Sequence, residues 1–344
     1  MTPIPARIGV IGAGRIVRTG HLPAYISGGV PVAAICARTR ASAEQAARAL
    51  PGVRIHDSAV ELAADPDVEI IDVATRPHGR LDLVRALLPY GKPLLLQKPV
   101  AYSLDEARAI ADEAARAGVP VAVNHNLRWA PAQRLLLDWA RGGGLGRLAH
   151  LAHVHHFNED EVTWYTDHPG YLFLDHGLHY LDLARRLAGA DPVAVTARAG
   201  VLPGQAARCP LTYTIMLAFD SPLVATLSMY DRTRTPHAWA SAWYVNGDQA
   251  DAQATYSTAT LHTAAGPQTH TPPGEWVPDG ILGAYTAFTQ ALAAGTVPEH
   301  DITDHLRSLA VASAAAASAA RDGEWITVPE TGPRAQAAAH GSSR

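Results

Sequence analysis

Lys98, Asp175 and His179 are the residues of this chain whose types and settings best fit acid–base chemistry. Asp175 and His179 lie four apart in Asp175-His176-Gly177-Leu178-His179-Tyr180-Leu181-Asp182, and Asp182 follows three residues later. On a helix these spacings stack side chains on one face, so the run predicts that the Asp175 carboxylate orients and tunes the His179 imidazole. An imidazole so placed is suited to take a hydroxyl proton near neutral pH, as oxidation of an alcohol requires. Asp175 also reads as a charge favoured by the start of a helix, and Asp182 as an orienting or capping group. Lys98 lies in Leu95-Leu96-Gln97-Lys98-Pro99, just past an apolar strand, with Pro99 fixing the backbone after it. On the carboxyl edge of an open sheet an ammonium can hold a substrate oxygen and stabilise a developing alkoxide. A lysine-proline pair alone is more often merely solvated.

A second constellation is Gly12-Ala13-Gly14, between an apolar strand and a helix. There glycines permit a tight turn and let backbone N–H groups approach a pyrophosphate at the helix N-terminus. Val17 occupies the place of the usual third glycine, where helix and strand pack closely. About twenty residues on, the acid that usually receives an adenosine ribose is missing, and the strand ends Cys36-Ala37-Arg38-Thr39-Arg40. Arg38 or Arg40 can receive a 2'-phosphate and Thr39 can donate a hydroxyl, which makes NADP the expected cofactor and NAD the alternative. Both arginines can also be solvated at the start of a helix.

Elements must carry these residues, and from 7 to 124 short β-branched runs alternate with alanine-rich helical stretches, the pattern of a parallel sheet covered on both faces. Strands are expected at 7–11, 32–36, 54–56, 69–74, 93–96 and 119–123, and helices at 15–26, 42–50, 59–64, 79–89 and 104–117. Ser103 with Glu106 forms a capping box, and Gly118 is a suitable stop. After Asn124 the grammar changes to a helix at 131–141, a Gly142-Gly143-Gly144 turn and a strand at 148–157. Later β-like segments at 193–199, 213–219, 224–229 and 239–245 suggest a largely antiparallel sheet. Helices near 283–293 and 304–320 close the fold. The expected division is 1–124 and 125–330, with the small, polar tail 331–344 disordered.

With 344 residues, 48% hydrophobic and 17% charged, the chain can bury two cores. A formal charge of −4 offers no basic footprint for nucleic acid. No export signal or membrane span is expected, since the start runs straight into a strand and the stretch 308–320 is mostly alanine and serine. Two cysteines, Cys36 and Cys209, suggest no disulfide framework and a reducing, cytoplasmic setting. Zinc ligation by the Asp/His run lacks support from a cysteine cluster or an HExxH pattern, and no metal is expected. In the strand His150-Leu151-Ala152-His153-Val154-His155-His156, His153 and His155 share a face and read as packed or solvated before they read as substrate or subunit contacts.

The runs IGVIGAGRIV (8–17), HLPAY (21–25), LLQKPV (95–100), NHNLRWAP (124–131) and LFLDHGLHYLDLARRLAG (172–189) together resemble the Gfo/Idh/MocA oxidoreductases, over nearly the whole chain. The resemblance implies a doubly wound Rossmann domain and a C-terminal α/β domain with a large, mostly antiparallel open sheet. It implies a homodimer or homotetramer formed through that sheet, and catalytic roles for Lys98, Asp175 and His179. Expected cofactor contacts are Gly12, Gly14, Arg15 and Ile16 at the first turn, Ala37, Arg38 and Thr39 after the second strand, Thr75, Arg76, Gln97 and Lys98, then Asn126 and Arg128. Arg128 would reach the nicotinamide end or make an ion pair at the domain seam. Gln97 stands where the family carries glutamate. The expected reaction is hydride exchange with the secondary alcohol or ketone of a sugar, cyclitol or related polyol. The rivals are a redox-assisted glycoside hydrolase and a non-catalytic dinucleotide sensor. The loop GEWVPDG (274–280) resembles one that nears the active site in some relatives, where Trp276 would stack on a sugar face or anchor the core.

Overall fold

The computed structural model describes residues 6–332. Short, mostly apolar runs form β1 (Ile8–Ile11), β2 (Val32–Cys36), β3 (Arg54–His56), β4 (Ile70–Val73), β5 (Leu94–Gln97) and β6 (Val121–Asn124). Apart from β2 and β3 at one edge, these strands are buried at every residue, as expected where helices cover both faces of a parallel sheet. All neighbours run parallel, in the order β3-β2-β1-β4-β5-β6. Strand order reverses between β1 and β4, the switch point at whose carboxyl ends doubly wound sheets bind their ligands. The helix Leu104–Ala117 starts where its capping box predicts, with Ser103 Oγ accepting from the Glu106 N–H at 3.4 Å, and stops at Gly118 with φ 66°.

The second sheet holds β7 (Leu148–His156), β8 (Ala194–Gly200), β9 (Thr212–Ala218), β10 (Val224–Tyr230), β11 (Ala240–Gly247), β12 (Asp251–Ala254), β13 (Ala259–Thr263), β14 (Gly266–His270) and β15 (Ile326–Thr327). Its order is β14-β13-β12-β11-β7-β10-β9-β8-β15, with only β7 and β10 parallel. β12 to β15 go beyond the predicted strands. They are short and small or polar, and β14 carries Gly266 and Pro267 on an exposed edge, where neither residue weakens the sheet.

The C-terminal helices return to the first unit. Asp279–Ala294 lays Tyr285 and Phe288 into its core, with Tyr285 Oη donating to the Ala6 carbonyl at 2.7 Å. Ile302–Ala319 packs between both sheets, and the Val123 N–H donates to the His300 carbonyl at 2.8 Å. Cys36 and Cys209 are buried free thiols. Among the described residues no helix is long and apolar enough to cross a membrane. Of the tail expected to be disordered, 333–344 lies outside the described residues.

Candidate active site

The first turn is built on two different glycine needs. Gly12 adopts φ +129°, and a Cβ there would fall 2.6 Å from the Ala74 carbonyl oxygen, so β1 can pass β4 this closely only without a side chain. Gly14 faces open space, with no atom within 4 Å of where its Cβ would be, directly before a helix that begins at Arg15. That helix contains a π turn, Val17–His21, of the kind that often marks functional sites. Val17 is fully buried, and the close approach is made at Gly20, where a Cβ would meet Ile281 at 2.7 Å. Ile16 is half-buried, while Arg15 lines a cavity of about 220 Å³ with Phe157, Glu159 and Glu161 of the second unit.

At the end of β2 the two arginines separate in role. Arg40 is tied to Asp57 at 2.7 Å and to Glu44 at 3.2 Å. Arg38, past the half-buried Ala37, is exposed and makes no hydrogen bond or ion pair with a described residue. Thr39 caps the next helix, its Oγ1 accepting from the Ser42 N–H at 3.3 Å. Thr75 Oγ1 donates to the Arg76 carbonyl at 3.3 Å, and the Arg76 guanidinium lies 4.6 Å over the Trp164 ring.

A residue that sequence reasoning missed, Arg80, holds the edges of β4 and β5 together. Fully buried, it donates to the carbonyls of Thr75, Gln97 and Pro99, the last at 3.1 Å, and burial pushes its pKa down to about 10. Nothing in its spacing separates it from the solvent-facing Arg85 one turn later.

Beyond β5, Gln97 Oε1 accepts from the Lys98 N–H at 2.9 Å, and its amide nitrogen lies 3.4 Å from His21 Nε2. Asn124 Nδ2 lies at the same distance from that nitrogen, while His21 Nδ1 is 2.6 Å from Asp72, which also accepts from Tyr25 Oη at 2.8 Å. Two amide donors at Nε2 assign the imidazole proton to Nδ1. Gln97 thus completes a buried network as a neutral donor and acceptor, roles a carboxylate cannot combine.

Lys98 and the second unit meet here. The Lys98 ammonium donates to the Asp175 carbonyl at 3.1 Å and forms an ion pair with the Asp175 carboxylate, which Tyr102 Oη approaches at 3.4 Å. One turn later His179 is buried, and its Nδ1 has no partner. Burial, then the charges of Lys98 and His176, hold its pKa well below the ordinary histidine value, so the imidazole is neutral. Trp276 presents its ring edge-on to His179 at 4.9 Å, stacks on Tyr256 at 5.4 Å and leaves its own indole N–H without a partner.

Two expectations are corrected. Asp175 pairs with Lys98 instead of orienting His179, because Leu172–His176 is a π turn and the four-residue register that stacks an α-helix does not run through it. Gly177 lets that turn close, since a Cβ there would lie 2.3 Å from the Leu172 carbonyl oxygen. Arg128 is sealed in the seam. Its Nε and Nη2 reach the Asp182 carboxylate at 2.7 and 2.5 Å, Nη1 donates to the Glu299 carbonyl at 2.8 Å, and Asp304 completes the pairing. With no exposed surface it has no face for a ligand. Its neighbour Asn126 is also buried, with Oδ1 unpartnered.

His153 is sandwiched between Tyr180 and Trp243 at 4.2 and 4.3 Å, with Nε2 3.1 Å from Ser241 Oγ. A larger groove of about 630 Å³, between Trp129, Leu282 and Val297, is lined by none of the expected catalytic or cofactor residues.

Residues 6–125 match the oxidoreductase family with an NAD-binding Rossmann fold, GFO/IDH/MocA, and residues 134–253 match the C-terminal domain of the same family. The chain is 31% identical over 204 residues to the 1,5-anhydro-D-fructose reductase of Ensifer adhaerens, covering 57% of this chain and 61% of that one. Myo-inositol dehydrogenase Hyg17 of Streptomyces leeuwenhoekii is 30% identical over 233 residues, 64% of this chain and 68% of its own. A levoglucosan dehydrogenase solved with NADH and levoglucosan shares the fold, with TM-score 0.83 at 20% identity over 95% of this chain and all of that one. The paired domain matches, on a doubly wound sheet with the glycine turn after β1 and Lys98 after β5, place this chain in the GFO/IDH/MocA oxidoreductase family.

Proposed function

We propose that this chain is a nicotinamide-dependent oxidoreductase that acts on the secondary alcohol or ketone of a sugar, cyclitol or related polyol. The reading rests on one observation: the Lys98 ammonium at the carboxyl edge of the first sheet is bonded to Asp175, four residues before a buried His179 whose Nδ1 has no partner. The named relatives, a reductase of 1,5-anhydro-D-fructose and a dehydrogenase of myo-inositol, point to the same substrate class.

The residues at the first turn fit a dinucleotide, because the space beside Gly14 is open and the backbone N–H groups of a helix start lie next to it. Gly12, Gly14, Arg15 and Ile16 would hold the pyrophosphate side, Ala37, Arg38 and Thr39 the adenosine side, and Thr75, Arg76, Gln97 and Asn126 the remainder. When bound, the nicotinamide supplies or accepts the hydride. Lys98 would hold and polarise the reacting oxygen, and His179 would take or return its proton. Asp175 positions the Lys98 ammonium. The unpaired Arg38 favours NADP over NAD, since a 2'-phosphate would give it a charge-assisted partner.

Residues 1–124 would form the cofactor unit and 125–330 the substrate and assembly unit. The outward face of the second sheet exposes Met216, Val224, Tyr230 and Tyr244, a surface suited to pairing two or four copies. Two buried free thiols suit a reducing cytoplasm.

The test is a panel of sugars, cyclitols and their keto forms with NAD and NADP, followed at the nicotinamide absorbance. Steady net oxidation or reduction of the cofactor supports the proposal. Sugar release without net change would favour redox-assisted hydrolysis, and a dinucleotide-loaded protein silent across the panel would favour a sensor.

A further inference from the structure

Beside the cleft lies a second cluster that the hydride-transfer reading does not use. We propose that His155, His176 and Asp231 form a binding site for one divalent transition-metal ion of the zinc class. The proposal stands without the reading of the reaction given above.

Three separate elements bring these groups together: β7 carries His155, the π turn Leu172–His176 ends in His176, and Asp231 follows β10. One ligand atom from each lies within 4.8 Å of the other two. Bonds of about 2.1 Å in a tetrahedral zinc site separate neighbouring ligands by roughly 3.4 Å. Here His176 Nδ1 lies 2.9 Å and His155 Nε2 3.5 Å from Asp231 carboxylate oxygens, so small side-chain adjustments would seat an ion.

Unpartnered atoms point the same way. His155 is 2% exposed and Asp231 fully buried, yet His155 Nε2 and Asp231 Oδ1 have no hydrogen-bond partner. They face each other at 3.5 Å, beyond the ordinary range of a hydrogen bond. Buried polar atoms are nearly always satisfied, and a missing ion is one of the few physical reasons for an exception. The other nitrogen of His155 is already occupied: Nδ1 lies 3.2 Å from both Tyr180 Oη and Tyr256 Oη. Metal-bound histidines almost always have such a partner at the second nitrogen, which sets ring orientation.

Charge is also in place. Asp231 sets a carboxylate beside two imidazoles, a donor set that matches one divalent cation. The His176 side chain retains 12% exposure while Asp231 is sealed, which gives an ion a way in. Imidazole and carboxylate donors without thiolate suit zinc and its neighbours better than magnesium or calcium, which prefer oxygen.

The test uses tag-free, chelator-treated full-length protein. Zn²⁺ uptake is counted by elemental analysis, and affinity is measured by competition with a chromophoric chelator. The expected result is one ion per chain, with His155→Gln, His176→Gln and Asp231→Asn each weakening binding at least about 100-fold, the upper end of the cost of removing even an outer partner. His270→Gln, on the exposed edge strand, should leave binding unchanged. X-ray absorption of the zinc-loaded wild type decides the matter even if a variant fails to fold. A shell with two imidazoles and a carboxylate supports the site. Substoichiometric uptake, a shell without imidazole, or folded variants that bind as the wild type does would overturn it.

Discussion

Two buried polar clusters share the helix Gly177–Ala188, and they are finished to different degrees. On the seam side, Arg128, Asp182, Arg185, Asp304 and Ser308 close on one another. Asp182 accepts from Arg128 and from Ser308 Oγ at 2.6 Å, while Arg185 reaches Ser308 at 2.8 Å and Asp304 at 3.2 Å. On the cleft side, His179 Nδ1, the Trp276 indole N–H, His155 Nε2 and Asp231 Oδ1 are left without partners. Burial alone therefore does not distinguish structure from function in this molecule. The five seam side chains satisfy one another and fix how the two units sit together, whereas the unpaired atoms on the cleft side leave bonding capacity that a bound group can use.

The largest effect expected from breaking this contrast is on turnover. Lys98→Met or His179→Asn should each lower kcat by about 10²–10⁴-fold while dinucleotide Kd stays near wild type, and His179→Asn, which strands no ion-pair partner, should also keep its thermal midpoint. A large loss of stability in His179→Asn would move that residue to the structural side.

Arg128→Met should act in the opposite way, lowering stability by about 3–5 kcal/mol in urea titration, because Asp182 and Asp304 would keep buried charge without a partner. A stable variant with weakened dinucleotide binding would return Arg128 to the cofactor site.

A smaller effect should come from Arg38→Ala, which should raise KM for NADP about tenfold, the worth of one charge-assisted hydrogen bond, and leave KM for NAD unchanged. Arg40→Ala, whose side chain is spent on Asp57 and Glu44, should discriminate less between the two. Equal effects on both cofactors would refute the assignment of Arg38.

The gentlest expectation concerns pH. Burial pushes His125 down to about 4 and His153 and His300 to about 3, from an ordinary value of 6.5. Below pH 6.5 the unfolded chain binds protons at these positions and the folded chain does not, so stability should fall as pH drops from 6.5 towards 4. Calorimetry across that window should show proton uptake on unfolding. Uptake near zero at pH 5 would mean these rings are charged in the fold.

How much of this was legible in sequence followed from how the physics is written there. The strands at 32–36 and 54–56 and the helices at 59–64 and 104–117 match residue for residue, because apolar runs and caps are local signals. Lys98 and His179 were visible through their settings. Asp175 was seen but given the wrong partner, since a spacing rule assumes 3.6 residues per turn and the chain inserts a π turn there. Arg80 and the trio His155, His176 and Asp231 could not be read, because their meaning depends on carbonyls and carboxylates that only the folded chain brings near.

The claim at the centre of this account is that Lys98 and His179 serve one substrate oxygen, and a double-mutant cycle on kcat/KM tests it most directly. Groups that act as a unit are strongly non-additive, so the pair Lys98→Met with His179→Asn should be scarcely slower than the worse single variant. Losses that multiply in full would contradict the account, for they would mean two residues working at separate places.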